Sequence, residues 1–250
     1  MRHAGIDIGS RTIELVVLEN DHIVESGQTD TGFDPMAQTR ELLKDVSFDC
    51  IMATGYGRNL FELAFDAPTV TEIKAYGVGV HILIPEAKTI LDIGGQDSKA
   101  ISLNGMGAVK KFEMNDRCAA GTGKFLEIMA RTLGFELEKF GSEALKAKQD
   151  LHINSMCTVF AESEVTSLVA RGQDRRAISI GLHRSVVRRA VGMIKRVSSN
   201  GPIVFAGGVA KNPCMCRLLE EAMEQEILIP ENPQMVGALG AALLSGRMTT

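Results

Sequence analysis

The chain has 250 residues, 45% of them hydrophobic and 23% charged, which suits one large domain or two small ones with ordinary cores. A formal net charge of −4 without a basic run argues against a nucleic-acid partner, and no stretch reaches the ~18 apolar residues of a membrane span. The five cysteines stand at wide spacings, which argues against a disulfide framework. We therefore expect a cytoplasmic protein that binds neither nucleic acid nor membrane.

The first part of the chain alternates short apolar runs with polar and glycine-rich turns. Runs rich in β-branched residues predict strands over 3–8, 12–18, 22–28 and 48–53. Apolar residues at helical spacing predict helices over 35–44, 59–65 and 72–80, and residues 81–85 are expected to link this part to the next.

The pattern then restarts. Strands are predicted over 89–93, 98–103 and 108–114, and the first of them again ends in an acidic residue before a glycine turn. Asp7 and Asp92 occupy the same place in the two passages, 85 residues apart. Such an internal repeat predicts two similar α/β lobes.

The second half reads mainly as helices. They are predicted after Cys118, over 141–148, after Cys157, and over 178–197, 218–224 and 234–244, with short strands at 151–153, 202–206 and 227–229. The arginines of the long helix are expected on a solvated face; they are Arg184, Arg188, Arg189 and Arg196. Small residues over 237–242 predict a closely packed helix that returns to the first lobe.

Three glycine turns follow buried strands: Gly9-Ser10, Gly94-Gly95 and Gly207-Gly208. Glycine lets main-chain amides approach an anion, and successive amides form a phosphate-binding nest. Asp7 and Asp92 beside two of the turns would suit Mg²⁺, which prefers oxygen ligands. The turns predict ATP binding between the lobes, although neither a Walker A loop nor a G-x-G-x-x-G fingerprint is present.

Two cysteines each precede an amphipathic run. Cys118 comes before a Gly-Thr-Gly turn, and Cys157 comes before Thr158, a candidate helix cap. Helix N-termini favour anions, so two such cysteines would be half of a tetrathiolate site completed by a second copy of the chain. The alternative is that both are small core residues, and they are too far apart for a C-x-x-C pair.

Together these motifs resemble the acetate and sugar kinase, chaperone and actin ATPase superfamily. The match is close to the activator ATPases of 2-hydroxyacyl-CoA dehydratases and the ATPase subunits of benzoyl-CoA reductase. The motifs that carry the resemblance are 5–10, 54–58, 92–97, 114–123, 157–165, 207–210 and 237–242. They span essentially the whole chain, and the two cysteine motifs are far more specific than the glycine turns.

The resemblance implies an α/β fold of two ribonuclease-H-like lobes with a nucleotide cleft between them. The first lobe would comprise residues 1–72 and 232–250, and the second lobe residues 73–231. It also implies a homodimer with one [4Fe-4S] cluster held by Cys118 and Cys157 of both subunits. ATP would change the angle between helices at the cluster and drive a low-potential electron into a partner enzyme.

The resemblance also suggests residues for ATP or ADP and Mg²⁺. The expected nucleotide-binding set is Asp7, Gly9, Ser10, Arg11, Thr12, Asp92, Gly94, Gly95, Gln96, Gly207, Gly208, Asn212 and Gln234. Gln96 and Asp97 are the expected catalytic residues, with Asp97 positioning the attacking water. The electron would come from a ferredoxin or flavodoxin and pass to a 2-hydroxyacyl-CoA dehydratase, a benzoyl-CoA reductase type enzyme or a double-cubane cluster protein.

The chain departs from the dehydratase activators in its first turn. Those proteins continue the turn with Thr-Ala-Ser-Lys, whereas Arg11 and Thr12 follow Ser10 here, so Arg11 would have to supply the missing positive charge. This leaves the partner open. Two other functions on the same scaffold also stay open, a small-molecule kinase and a non-redox, ATP-dependent assembly or chaperone-like module.

The remaining three cysteines and two glutamates are predicted to have structural roles. Cys214 and Cys216 form a C-x-C sequence that favours packing over metal binding, and Cys50 is expected in the core. Glu162 and Glu164 follow Cys157 in the first turn of a helix, where acidic side chains interact favourably with the helix dipole. We favour this role over tuning of a cluster.

Overall fold

The computed structural model describes residues 1–153, 157–198 and 200–248, so residues 154–156, 199 and 249–250 of the predicted lobes lie outside the described residues. The elements up to the repeat are β1 (Arg2–Ile8), β2 (Thr12–Glu19), β3 (His22–Asp30), α1 (Pro35–Leu43), β4 (Cys50–Thr54), α2 (Arg58–Phe65) and α3 (Glu72–Leu83). Those that follow are β5 (Thr89–Ile93), β6 (Ser98–Leu103), β7 (Val109–Asn115), α4 (Gly123–Thr132), α5 (Leu137–Ala144), α6 (Thr158–Ala170), α7 (Arg175–Val197), β8 (Ile203–Ala206), α8 (Pro213–Met223), β9 (Ile227–Leu228) and α9 (Val236–Arg247).

These strands form two sheets. The first sheet has the order β3-β2-β1-β4, with β1 antiparallel to β2 and parallel to β4, and its register places Asp7 opposite Glu14. The second sheet has the order β7-β6-β5-β8-β9, with β8 parallel to β9. The repeat of strand, acid and glycine turn therefore corresponds to two sheets, the first of them of mixed direction, and the predicted α/β class is confirmed.

The chain divides into two compact units. Unit 1 comprises residues 1–90, 101–111 and 230–250, and unit 2 comprises residues 91–100 and 112–229. The lobe boundary expected near residue 72 stays a prediction. None of the helices in the part of the chain that the structure describes is long and apolar enough to span a membrane.

Several element bounds differ from the prediction for a packing reason. Helix α5 begins four residues before the predicted start at Gly141, because a Cβ on that glycine would overlap the Asn212 side chain: the residue marks a close contact and not a boundary. Helix α8 begins at Pro213 rather than 218, since proline is well suited to the first helical position and Asn212 caps it. Helix α3 continues to Leu83 through the predicted link.

The strand predicted over 151–153 is wrong, because these residues have no regular secondary structure. Ile153 is buried, and a Cβ on Gly181 of α7 would overlap the Leu151 carbonyl oxygen. The segment therefore lies flat against α7, and its apolar residues fill the core of unit 2 without joining a sheet.

Helix α9 fills unit 1 with small residues, as predicted. It packs against β1 and α3, and a Cβ on Gly240 would overlap the Ala75 carbonyl oxygen. A Cβ on Gly5 of β1 would likewise overlap the backbone of Ala238 and Ala242. Backbones this close leave no room for a methyl group, so the glycines set the distance between these elements.

We expect Gly240→Ala to destabilise the protein by about 1–3 kcal/mol or more, because the added methyl group meets a main-chain carbonyl that cannot rotate away. Alanine's better helix propensity offsets only ~1 kcal/mol of this. Urea unfolding measures the change. Gly105→Ala is the matched control, since nothing lies within 4 Å of its Cβ position, and it should stay within about 0.5 kcal/mol of the wild type. A Gly240→Ala protein as stable as this control would contradict the packing argument.

Candidate functional site

The first two glycine turns are closed by the same hydrogen bond. In the first turn the Gly9 amide donates to the Thr12 carbonyl oxygen at 3.0 Å, and in the second turn the Gly94 amide donates to the Asp97 carbonyl oxygen at 3.0 Å. These residues are related by the same 85-residue offset as Asp7 and Asp92. The repeat seen in the sequence thus extends to the backbone geometry of the turns.

A left-handed glycine lies against each buried aspartate. Gly55 (φ +89°) follows β4 in unit 1, and a Cβ there would overlap Asp7 Oδ1. Gly207 (φ +81°) follows β8 in unit 2, and a Cβ there would overlap Asp92 Oδ1. Gly207 is among the residues that the sequence predicts at the nucleotide site, whereas Gly55 is not. The available signal was its position directly after a buried strand.

Asp7 is enclosed on a second side as well. A Cβ on Gly237, in the first turn of α9, would overlap Asp7 Oδ2, and the Asp7 side chain is only 6% exposed. Both carboxylate oxygens therefore lie against positions that only glycine can occupy. Gln234, another residue expected to bind nucleotide, is half-buried in the turn that precedes this helix.

The first turn is braced from behind by Thr31. Its amide donates to the Arg11 carbonyl oxygen at 2.8 Å, and its hydroxyl donates to the Gly9 carbonyl oxygen at 2.8 Å. Ser10 and Thr12 are half-buried, and the Arg11 side chain is exposed. Thr31 therefore binds the carbonyl oxygens of both Gly9 and Arg11.

Asn212 is engaged as a helix cap. Its Oδ1 accepts from the amides of Cys214 and Met215 at 3.0 and 3.1 Å, and its Nδ2 donates to His183 Nε2 at 3.0 Å. Gly208 begins a 3₁₀ turn and is exposed, whereas Gly207 is buried. The role expected for Asn212 in nucleotide binding stays a prediction, and its role in positioning α8 is a finding of the structure.

The second turn contains a buried ion-pair group that includes Lys99, a residue not predicted from the sequence to belong to the site. Lys99 Nζ lies 2.7 Å from Asp97 Oδ2 and 3.2 Å from Asp92 Oδ2, and the lysine side chain is 3% exposed. Gly94 and Gly95 are half-buried, and Gln96 at the tip of the turn is exposed. The signal in the sequence was a charged residue inside the predicted strand 98–103, between Ser98 and Ala100.

The second turn is also joined to helix α4. The amides of Gly123 and Lys124, the first two residues of the helix, donate to the carbonyl oxygens of Gly94 and Gly95, both at 2.8 Å. A Cβ on Gly123 would stand 2.8 Å from the Gly94 oxygen, so only glycine allows this approach. Two of the four amides that a helix leaves unsatisfied at its N-terminus are thereby satisfied by the turn.

Cys118 lies in the loop that enters α4, five residues before the helix begins. Its carbonyl oxygen accepts from Asn115 Nδ2 at 2.9 Å, and its side chain is half-buried against the core of unit 2. The N-cap residue is Thr122, whose hydroxyl donates to the Ala119 carbonyl oxygen at 2.6 Å. Side-chain hydrogen bonds therefore hold the loop at both ends.

Of the α7 arginines predicted on a solvated face, Arg188 and Arg196 are exposed and Arg184 and Arg189 are half-buried, and each also contacts another element. Arg189 donates to the Ala120 carbonyl oxygen of the Cys118 loop at 3.2 Å, and Arg188 donates to the Ile153 carbonyl oxygen at 3.3 Å. Arg184 pairs with Asp150, and Arg196 pairs with Glu113 at 3.0 Å. They tie loops and strands of unit 2 to the long helix.

Cys157 is the N-cap residue of α6 and is exposed, so the cap is the cysteine itself and not Thr158, which is the first helical residue. Two large apolar side chains beside it, Val159 and Phe160, are 66% and 69% exposed. Helix α6 packs against α4, so the two cysteine segments enter neighbouring helices of one unit. Glu162 is exposed and Glu164 half-buried on α6.

The other three cysteines lie elsewhere. Burial raises the pKa of Cys214 to about 12 and that of Cys216 to about 11, which suits packed thiols. Cys50 is half-buried, with Sγ 3.0 Å from both His3 Nδ1 and Ser245 Oγ. Within residues 1–153, 157–198 and 200–248, no group of three or more His, Cys, Asp or Glu side chains is arranged to hold a metal ion.

Comparison with known proteins agrees with this arrangement. Residues 4–245 match the BadF/BadG/BcrA/BcrD ATPase family. The activator of lactoyl-CoA dehydratase from Anaerotignum propionicum is 41% identical over 250 residues, covering 96% of this chain and 95% of that protein. A subunit of benzoyl-CoA reductase from Thauera aromatica is 30% identical over 261 residues, covering 96% and 91%.

A solved structure is similar throughout its length. The activator of the 2-hydroxyisocaproyl-CoA dehydratase from Clostridium difficile, solved with bound ADPNP, superposes with a TM-score of 0.92 at 36% identity, covering 99% of this chain and 95% of that one. The predicted actin-like ATPase fold is thereby confirmed.

We expect the free energy of unfolding to depend on pH because a histidine is buried in the core of unit 2. His183 is fully buried, its Nδ1 lies 2.7 Å from the Ser179 carbonyl oxygen, and burial lowers its pKa from 6.5 to about 4. Between pH 6.5 and 4 the unfolded chain binds a proton at this residue that the folded chain does not, so stability falls as the pH falls. The loss should reach about 2 kcal/mol at pH 5.

Urea unfolding of the wild type and of His183→Gln at pH 7.5 and pH 5 measures this loss. The variant starts less stable but should lose about 2 kcal/mol less over the interval. His22→Gln is the matched control, because His22 is exposed, and it should keep the wild-type dependence. Equal slopes in the wild type and His183→Gln would exclude the buried histidine as the cause.

Proposed function

Because the chain belongs to the BadF/BadG/BcrA/BcrD ATPase family, we propose that this ATPase is an ATP-dependent electron donor that activates a partner iron–sulfur enzyme. Its relatives include an activator of a 2-hydroxyacyl-CoA dehydratase and a benzoyl-CoA reductase subunit. The higher identity to the former, 41% against 30%, favours a dehydratase as the partner over a benzoyl-CoA reductase or a double-cubane cluster protein. A ferredoxin or flavodoxin would supply the electron.

The observation that carries the proposal is the exposed Cys157 at the start of α6. Val159 and Phe160 beside it leave apolar surface in water, which monomeric proteins limit and which two-fold interfaces bury. Cys118 lies in the loop that leads into the neighbouring helix α4. One chain thus supplies two thiols and an apolar face, and a second copy related by a two-fold axis would supply the same again.

The donor set fits an iron–sulfur cluster. Cysteine thiolates are the usual ligands of [4Fe-4S] clusters, and four are needed, which two chains provide through Cys118 and Cys157. When bound, the cluster would supply one-electron transfer at low potential. The chain's part is to hold the ligand loops: Asn115 and Arg189 fix the Cys118 loop through carbonyl oxygens and leave the thiol unengaged by these bonds.

Nucleotide would bind at the glycine turns, with Mg²⁺ as its companion ion. The Asp7 carboxylate stands in a cradle formed by Gly55 and Gly237, where any other side chain would displace it, and carboxylate oxygen is a ligand that Mg²⁺ prefers. The Gly95 amide is suited to a phosphate oxygen, whereas the Gly94 amide closes the turn on the Asp97 carbonyl oxygen. Gln96 and Asp97 stand in the same turn and would position water for hydrolysis.

The link between turn and helix explains how nucleotide would act on the ligand loop. The carbonyls of Gly94 and Gly95 accept from the first two amides of α4, so a change in the turn's backbone pulls directly on the helix that follows Cys118. Hydrogen bonds at a helix N-terminus are directional and shorten or break with small shifts. The turn and the ligand loop therefore belong to one hydrogen-bonded unit.

The shared site is tested by anaerobic purification and iron analysis. We expect a brown dimer with about four iron atoms, and Cys118→Ala or Cys157→Ala should lose the iron and weaken the dimer, because each removes two of four ligands. Iron assay and light scattering measure both properties. Cys50→Ala is the control and should keep wild-type iron. A colourless wild-type protein without iron, or full iron in Cys118→Ala, would refute the proposal.

The link is tested by Lys124→Pro, which removes one amide donor at the second position of α4, where proline is tolerated. The rate of ATP hydrolysis should stay within about threefold of the wild type. The change that ATP causes in the EPR spectrum of the reduced protein should shrink about fivefold or more, which corresponds to the free energy of one hydrogen bond. Glu138→Pro, at the same position of α5, should leave both unchanged. An undiminished ATP-dependent change in Lys124→Pro would separate the turn from the ligand loop.

A further inference from the structure

A buried lysine stands behind the second glycine turn. Lys99 contacts the carboxylates of Asp92 and Asp97 through one ammonium group, and both the lysine and Asp92 are almost fully buried. Asp97 belongs to the turn itself, since its carbonyl oxygen accepts from Gly94. The lysine is therefore connected directly to the phosphate-binding backbone.

The two turns carry opposite charges at this position. Glu14 stands 85 residues before Lys99, as Asp7 stands 85 before Asp92, and it lies opposite Asp7 in the strand register. Glu14 is 4% exposed and accepts from Gln28 Nε2 at 2.8 Å. At the matching positions the first turn has Asp7, Thr12 and Glu14, whereas the second has Asp92, Asp97 and Lys99.

This difference matters because the second turn offers main-chain amides to an anion. Carboxylates close to those amides repel a phosphate, and the repulsion is strong where water is excluded. One Asp97 oxygen is bound by Lys99, and the other lies 3.1 Å from the place of a Cβ on Gly94. Without the lysine, two negative groups would face the incoming phosphate.

We propose that Lys99 is the positioning residue of the second turn. It offsets the charge of Asp92, binds one oxygen of the Asp97 carboxylate, and so makes the turn bind phosphate and not a cation. This inference rests on the proposed nucleotide site. It predicts that nucleotide affinity follows the net charge of the three side chains and not the presence of a lysine as such.

The test measures the Kd of a fluorescent ADP analogue in EDTA, so that no divalent ion contributes. Lys99→Met should bind ADP about tenfold more weakly or worse, and Lys99→Arg should stay within about threefold of the wild type. The double variant Lys99→Met with Asp97→Asn removes one positive and one negative charge. It should regain affinity to within about threefold of the wild type. A purely structural lysine would give a double variant no better than Lys99→Met.

Asp97→Asn alone keeps the test decisive if Lys99→Met does not fold. With the lysine present and one carboxylate fewer, it should bind ADP about threefold more tightly, an effect that loss of a structural contact does not produce. Wild-type affinity in Lys99→Met, or equal or weaker binding in Asp97→Asn, would overturn the inference. If the wild type binds no nucleotide with or without Mg²⁺, the proposed function fails instead.

Discussion

Two main-chain hydrogen bonds, from the amides of Gly123 and Lys124 to the carbonyls of Gly94 and Gly95, are the contact on which the rest of this structure depends. They make the second glycine turn the cap of helix α4, the helix that the Cys118 loop enters. A side-chain cap could be replaced by water at modest cost, but a backbone cap at this distance requires the glycine at position 123. The proposed coupling between the turn and α4 therefore depends on a glycine at position 123.

The internal repeat preserves backbone geometry while its charges diverge. Closing hydrogen bonds of the same length and left-handed glycines against the aspartates recur in both turns, since they are set by sterics that few residues satisfy. The residue seven positions after each aspartate is under no such steric constraint. It is Glu14 in β2 and Lys99 in β6. The two turns therefore share a backbone geometry and differ in the charges beside it.

The sequence was most informative where periodicity and glycine spacing agree, and both sheets, the turns and the closely packed α9 could be predicted from it. Boundaries failed where a residue type had a tertiary reason, as with Gly141, which is a packing contact inside α5. Lys99 and the arginines of α7 could not be assigned because their partners lie on other elements, and pattern alone does not identify a partner across a fold. The exposure of Cys157 is likewise a tertiary property, although the motif around it identified the residue.

The dense packing of α9 also bears on how the protein is made. Gly5 of β1 and Ala75 of α3 lie against this helix, which the ribosome synthesises more than 150 residues after either of them. Unit 1 closes a long loop, whereas unit 2 draws most of its core from the continuous stretch 112–229. Unit 2 can therefore assemble while β1 and α3 still wait, with apolar surface exposed, for the segment that covers them. The position of this one helix therefore sets how long the apolar surface of unit 1 stays exposed during synthesis.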